Sequence, residues 1–343
     1  MSTKVTVQDI ADALGLSRTT VSKVLNQSPA VSDATRTLVL NKARELNYRP
    51  WGQPEAAAEA PASGEVSCFA LVMHAIPGGN HMGTIVIPSL DQKLRQSGYS
   101  LMTCAISDSE YETMHLPPIL ETPQVKAIVT LEMFHPEYSR LLCALGKPVL
   151  FIDACADFFR LGLHGDLLLM ENRYSVGQLL TTLIGKHGIG TMGFVGDAGH
   201  CISFRERYEA FLLTAAQQAV ETAPYCILDD DAHYSDVHWL QGRLEVMEQL
   251  PELFFCANDY LAQLLIHALE NMGKRVPEDV MVCGFDGLPS ISKPLNQMTT
   301  IVTPSDQLGA YAASILLRKI SHREATCCST YLKTTLLFRE TAP

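Results

Sequence analysis

From Cys68 onward, short apolar runs recur at the spacing of a strand–helix repeat, and this alternation limits the folds open to the chain more than any other feature. CFALVM (68–73) precedes an amphipathic stretch over 84–97, YSLMTC (99–104) one over 110–121, and AIVTL (127–131) one over 136–145, before PVLFID (148–153). Runs this short suit strands rather than helices. Their near-continuous hydrophobicity suits strands buried on both faces, as in a parallel sheet covered by its crossover helices. The rhythm restarts at DLLLM (166–170) and continues through TMGFVGD (191–197), a helix over 204–219, ELFFCAND (252–259), a helix over 260–272 and VMVCGFD (280–286). The restart predicts an α/β body of two doubly wound parallel-sheet subdomains. The first spans about 66–165 plus 304–325 and the second about 166–303 plus 326–340. TTIVTP (299–304) and the helix after it return the chain to the first subdomain, and the final strand pair rejoins the second. Several crossings between lobes would make a hinged clamp.

The 343 residues, 47% of them hydrophobic, supply more than one core. No charged segment followed by an apolar one opens the sequence and no apolar run is long enough to cross a bilayer, so a cytoplasmic protein with no membrane partner is expected. Ten cysteines include no Cys-x-x-Cys pair, and the close pair Cys327–Cys328 is adjacent in the chain, where bridging is strained. Reduced, mostly buried thiols are expected, with Cys68, Cys104, Cys256 and Cys283 as small core residues. Neither a metal nor a cofactor is expected. Net charge is −11 but unevenly spread: residues 1–50 carry seven basic side chains against four acidic ones, leaving this end at +3 and the rest at −14. A basic end on an acidic body suits contact with phosphate through that end alone, although charge by itself fits a solvated face equally well.

Within that basic end, Thr6 and Asp9 stand at capping-box spacing around the start of an apolar set, Val7, Ile10, Ala11 and Leu14, and Gly15 ends the segment. Ser17 caps a second segment in which Val21, Val24 and Leu25 share a face while Arg18, Thr19, Ser22, Lys23 and Asn26 lie on others. Ser32 caps a third, with Leu38, Ala43 and Leu46 turned inward. Two short helices crossing at a tight turn need a small residue at the crossing, a residue tolerant of positive φ in the turn, and an apolar anchor on the second helix. Ala11, Gly15 and Val21 supply these in order. The alternative is a purely structural helical hairpin, against which the basic polar face argues.

The stretch VTVQDIADALGLSRTTVSKVLNQSPAVSDATRTLVLNKARELNYRP resembles, along its whole length, the helix-turn-helix headpiece of lactose-repressor and galactose-repressor (LacI/GalR) regulators. The resemblance implies an all-α DNA-binding headpiece over 1–50, a linker over 51–65, and a periplasmic-binding-protein-like effector and dimerisation domain over 66–343. It implies that the helix from Ser17 to Asn26 enters the major groove, with Arg18, Thr19 and Lys23 at base-reading positions. Arg18 and Lys23 could both donate to guanine O6 and N7. Ser17, Thr20, Ser22, Asn26, Ser32, Thr35 and Tyr48 match positions that contact the DNA backbone or dock the headpiece, and should set affinity and register. The family then uses a short hinge helix that wedges a leucine into the minor groove. Here WGQPEAAAEAPASGE (51–65) departs from it: Pro54 and Pro61 interrupt the stretch, Glu55 and Glu59 would face phosphate, and Ala57 or a neighbour stands where the leucine belongs. It reads as a flexible or semi-rigid tether, with coupling carried by dimer geometry.

Open α/β sheets bind ligands at the carboxyl ends of their strands, where Asp153, Asp197, Asn258–Asp259 and Asp286 stand. Each could bond a sugar hydroxyl or cap the next helix; for Asp259 capping is the better explanation. Resemblance to the effector domain is carried by SFRERYEAF (203–211), CANDYLAQ (256–263), VPEDVMVCGFDGLP (276–289) and MTTIVTP (298–304). It implies that Arg207 contacts the effector, with Asp286, Asn258, Ser203 and Asp153 as further contacts; the alternative for Arg207 is a salt bridge to Glu206 or Glu209. MENRYS (170–175) has Glu171 where the family usually has Asp at the lobe crossover. Phe158 and Phe159 suit either a sugar face at the cleft rim or the core. Gly188, Gly190 and Gly193 satisfy G-x-G-x-x-G but follow a helix and precede a strand, the wrong junction for a dinucleotide, and read as a helix stop and a turn. An enzyme is supported only by the fold rhythm, since no nucleophile elbow, metal-ligand spacing or P-loop is present. A third reading reduces the body to a dimerisation unit. The expected function is a sequence-specific transcriptional regulator, a repressor. It binds a palindromic double-stranded DNA operator as a homodimer, with a tetramer left open, under control of a sugar-like small-molecule effector.

Overall fold

The computed structural model describes residues 6–25, 35, 38, 39, 42, 67–74, 82–228, 233, 236–287, 297–322 and 326–343. The chain divides into two units, with the boundary between Ala58 and Glu59. Expectations for Asn26, Ser32, Ala43, Leu46, Tyr48 and the linker over 51–65 lie outside the described residues.

In the first unit, α1 (Val7–Leu14) opens on a complete capping box. The Thr6 hydroxyl accepts from the Asp9 amide and the Asp9 carboxylate accepts from the Thr6 amide. Gly15 closes the helix at φ 64°, a left-handed conformation that costs glycine nothing. Ser17 starts α2 (Arg18–Leu25), its Oγ accepting from the Thr20 amide at 3.1 Å. Ile10, Ala11, Val21 and Val24 pack together with Val39, which like Thr35, Leu38 and Lys42 has helical backbone. The expectation for Leu38 is corrected here: it is 52% exposed while Val39 is fully buried. Neighbouring residues on a helix point about 100° apart, so only one of an adjacent apolar pair can face the seam.

The second unit holds two sheets. The first has the order β10-β5-β4-β3-β1-β2, all parallel, from β1 (Cys68–Met73), β2 (Ser100–Ala105), β3 (Val125–Leu131), β4 (Val149–Ile152), β5 (Asp166–Met170) and β10 (Ser329–Leu332). The second has the order β11-β9-β8-β7-β6, from β6 (Met192–Val195), β7 (Leu253–Cys256), β8 (Met281–Asp286), β9 (Thr299–Val302) and β11 (Thr335–Leu337), parallel except for the β9–β11 pair. Side-chain alternation divides the first sheet between two cores. Phe69, Leu71 and Met73 of β1 face α3 (Met82–Gln96) and α10 (Ser305–His322), while Ala70 and Val72 face α5 (Pro136–Ala144). Helices α3 and α10 meet closely at Gly309, where a Cβ would fall 2.2 Å from the Val86 carbonyl oxygen, so a side chain there has no room. Helices α6 (Arg173–His187), α7 (Ile202–Gln218), α8 (Val237–Glu245) and α9 (Asp259–Asn271) flank the second sheet.

The boundary expected at residue 166 is wrong by one strand at each visit. DLLLM is β5 of the first sheet, and of the final strand pair β10 also joins the first sheet while only β11 rejoins the second. A strand buried on both faces reads the same whichever sheet receives it. Contacts distant in sequence decide: Asp166 accepts from Lys319 Nζ of α10 at 2.5 Å and from the Cys328 amide at 2.8 Å, fastening β5 to the elements beside it. Among the described residues the chain passes between lobes at 170–173, 302–305 and 332–335. Gly188 ends α6 at φ 66° and β6 follows, the helix stop and turn expected of that glycine pattern. All ten cysteines are free. Cys256 and Cys283 are core residues as expected, whereas Cys68 and Cys104 are only half-buried on β1 and the edge strand β2.

Candidate functional site

On the headpiece, Ser17, Arg18, Thr19 and Lys23 are exposed, and Thr20 and Ser22 are half-buried beside them on α2, with Val21 and Val24 on the opposite, buried face. The Ser17 and Thr20 hydroxyls bond each other at 2.8 Å, so both are held at the helix start. Thr35 is half-buried. The described part of the headpiece thus presents two long cations and a row of hydroxyls on one helix, a group that can donate to phosphates and to guanine edges.

In the body, both sheets turn their carboxyl ends toward the lobe crossovers, because β5 and β9 each lead directly into them. Arg207 of α7 stands there, 4% exposed. Its Nε donates to Asn172 Oδ1 at 2.9 Å, its Nη1 to the Ala257 carbonyl at 2.6 Å, and its Nη2 lies 3.7 Å from Asp286 Oδ1. The guanidinium carbon sits 3.5 Å from the centre of the Phe285 ring. The salt bridge to Glu206 or Glu209 is made by Arg173 instead, with N–O distances of 3.6 and 2.6 Å. Asp286 has φ 121°, a conformation rare outside glycine and one that concentrates where local geometry serves a site.

Asp153, at φ 58° beyond β4, belongs to the first lobe and reaches α7 of the second: its Oδ1 accepts from the Ala154 amide at 2.8 Å and from the Ser203 amide at 3.4 Å. Burial holds its carboxyl above the usual range, against the opposing pull of these donors and of Arg207. The cap of α9 falls on Asn258 and not, as expected, on Asp259. Asn258 is the N-cap of α9, its Oδ1 accepting from the Leu261 amide at 2.9 Å. Asp259 is buried and bonds the Thr300 hydroxyl at 2.6 Å and the Gly287 amide at 2.8 Å, binding β9 and the end of β8 together. An acceptor one residue before the first helical turn reaches its amides, whereas one inside that turn points away from them. Phe158 is buried, 5.2 Å from Phe151, and Phe159 is 63% exposed.

The roles of several groups in this region escaped the sequence reading. Glu171 accepts from the Tyr174 and Ser175 amides at 2.6 and 2.9 Å and so caps α6, which releases the preceding N-cap residue Asn172 to bridge Arg207 and Glu206. Glu206 is buried and accepts from Tyr331 of β10 at 2.8 Å, so one carboxylate links the second lobe to the first. Burial and the hydrogen bond to Glu206 push the Tyr331 phenol up to about 12. Phe134 and His200, one from each lobe, meet edge to face with ring centres 4.5 Å apart. His74, beyond β1, bonds Asp108 at 3.0 Å and stacks on Tyr111 at 4.1 Å. The signal that finds His74 and Phe134 is the rule already used for the aspartates, position just past the end of a strand run.

Residues 6–50 match the bacterial regulatory proteins of the lacI family, and residues 183–342 match the periplasmic binding protein-like domain. The HTH-type transcriptional repressor PurR of Pasteurella multocida is 25% identical over 328 residues, covering 93% of this chain and 92% of that protein. The PurR repressor of Haemophilus influenzae is 26% identical over 321 residues, with 93% and 92% covered. Among solved structures, the Lac repressor bound to ONPG in its repressed state superposes with a TM-score of 0.69 at 20% identity, covering 99% of this chain and 100% of that one. The complex of the regulator CelR with cellobiose superposes with a TM-score of 0.66 at 21% identity, covering 98% and 100%.

Proposed function

Because this chain is a DNA-binding transcriptional repressor of the LacI family, a helix-turn-helix headpiece joined to a periplasmic-binding-protein-like body, we propose that it binds a palindromic operator as a homodimer and that a small polar effector between its lobes governs that binding. Arg18, Thr19 and Lys23 read bases, and Ser17, Thr20, Ser22 and Thr35 set register on the backbone, with Asn26, Ser32 and Tyr48 assigned to the same work by sequence. The setting is cytoplasmic, and no helix among the described residues is long and apolar enough to cross a membrane.

The observation that carries the sensing half is the Arg207–Asp286 pair, a buried guanidinium beside a half-buried carboxylate. At 3.7 Å the two ions stand near each other without a direct hydrogen bond, a separation that a bridging polar group can span. A ligand hydroxyl lying between them would accept from Arg207 and donate to Asp286, while Asp153, Ser203 and Asn258 offer further polar partners from both lobes. Vicinal hydroxyls, as on a sugar, answer that geometry; cellobiose in one fold relative and D-xylulofuranose in another are ligands of the same chemistry.

Selection of genomic fragments by the purified full-length chain, at fixed salt, tests the DNA half. Enrichment of a two-fold symmetric site is the expected result, and purely sequence-blind binding would overturn it. Thermal shift against a panel of sugars and sugar phosphates, with Asp286→Asn as comparison, tests the sensing half. A shift in the wild type that the variant loses is expected, and a shift retained in full would remove Asp286 from the site.

A further inference from the structure

The backbones of Cys155 and Cys201 pair across the two lobes. Cys155 follows β4 in the first, Cys201 is the N-cap residue of α7 in the second, and the two are partners in an isolated antiparallel bridge. The hydrogen bond of that bridge runs from the Ile202 amide to the Ala154 carbonyl at 3.0 Å, between the residues flanking the pair. The cysteines therefore occupy a non-hydrogen-bonded position, where Cα atoms lie about 4.5 Å apart and side chains approach most closely. A disulfide spans Cα separations of about 4.4–6.8 Å, and a pair in this register falls within that range. Both thiols are free and almost wholly buried, at 3% and 2% exposed.

We propose that Cys155 and Cys201 form an oxidation site, a disulfide between the lobes that closes when the chain meets a low-molecular-weight disulfide such as oxidised glutathione. Cys201 is the nucleophile. Its Sγ accepts from the Phe204 amide at 3.4 Å at the start of a 17-residue helix, a place that favours a thiolate. While the lobes are together, burial, reinforced by the Asp153 carboxylate, pushes this thiol well up, and burial does the same to Cys155. Separation of the lobes brings water to both sulfurs and removes that main cause. The Cys201 thiolate attacks one sulfur of the oxidant, forming a mixed disulfide and expelling the first small thiolate. On reclosure Cys155 attacks Cys201 Sγ and expels the second. The two protons given up by the cysteines end on the two released thiols, so one oxidant molecule is reduced for each bridge formed. The bridge fastens the start of α7 to the 153–157 loop, where Arg205 already donates to the Ala156 carbonyl at 3.0 Å, and opposes parting of the lobes. In a reducing compartment such a bridge is transient and reports redox poise. The proposal rests on the two-lobe fold and not on the identity of any effector.

The test uses full-length protein incubated with oxidised glutathione, alkylated, digested without reduction and mapped by mass spectrometry. A Cys155–Cys201 linked peptide, lighter by the two thiol hydrogens and lost on reduction, is the expected result. The variant Cys327→Ser/Cys328→Ser, which removes the two exposed thiols, should form the link undiminished. Hydrogen exchange at the 170–173 and 332–335 crossovers should slow in the oxidised chain and recover on reduction. Wild-type protein that stays reduced at both positions, or links only Cys327 or Cys328, overturns the proposal, as does a bridge that leaves crossover exchange unchanged. Because the mapping is made on the wild-type chain, it does not depend on a variant that folds.

Discussion

Arg18 stands exposed on the polar face of α2, and a long bidentate cation in that place is worth most when it meets a guanine edge. Arg18→Ala should cost about 1–3 kcal/mol on the selected operator and relax preference at one position per half-site. Competition binding against operators changed at single bases reads this directly, and an equal loss on random DNA would assign Arg18 to phosphate. Arg207 is the opposite kind of arginine, buried and spent on protein partners. Arg207→Met should leave Asn172 Oδ1 and the Ala257 carbonyl without their donors and Asp286 without its cation, at about 3 kcal/mol. The denaturant midpoint of the body transition should fall with its slope unchanged. A wild-type midpoint would mean that water replaces the guanidinium at no cost. Arginine at 207 was singled out in the sequence by resemblance, but its partners were not, because Asn172, Ala257 and Asp286 lie far from it along the chain.

At the scale of elements, local signals were the dependable ones. The Thr6–Asp9 box, the Gly15 and Gly188 stops and the Ser17 cap are all set by residues within four positions of one another, and each appears as read. The cap of α6 shows what a longer side chain alters. Glu171 reaches the Tyr174 and Ser175 amides from one position further back than an N-cap residue would, and Asn172 is left to bond Arg207 and Glu206 of α7. Glu171→Ala should therefore loosen the first turn of α6 by about 0.5–2 kcal/mol, seen as faster hydrogen exchange of those amides. Unchanged exchange would mean that Asn172 turns back to take over the cap, in which case its bonds to Arg207 and Glu206 should weaken instead. Helix faces were less legible: Leu38 and Val39 are both apolar, and the choice between them belongs to the neighbours they meet.

The whole molecule separates charge along the chain, with +3 in the first fifty residues and −14 in the remainder. Phosphate contact through the headpiece alone makes binding steeply dependent on salt. If two headpieces together neutralise roughly 6–10 phosphates, affinity should fall by about 10³–10⁵ between about 50 and 200 mM salt. Fluorescence anisotropy across that range checks the slope, and a flat response would place the DNA contact elsewhere. What the sequence by itself determined is most of the strands and helices, though not the stretch over 110–121, where the α-helix covers only Asp108–Glu112, and the division into a helical end and an α/β body, because capping, periodicity and charge are properties of near neighbours. The tertiary structure alone decided the sheet that each strand joins, the partners of Arg207, the bonds of Asp259 to Thr300 and Gly287, and the backbone pairing of Cys155 with Cys201. Those depend on groups tens to more than a hundred residues apart, and a strand or thiol buried on all sides carries no local mark of which distant neighbour buries it.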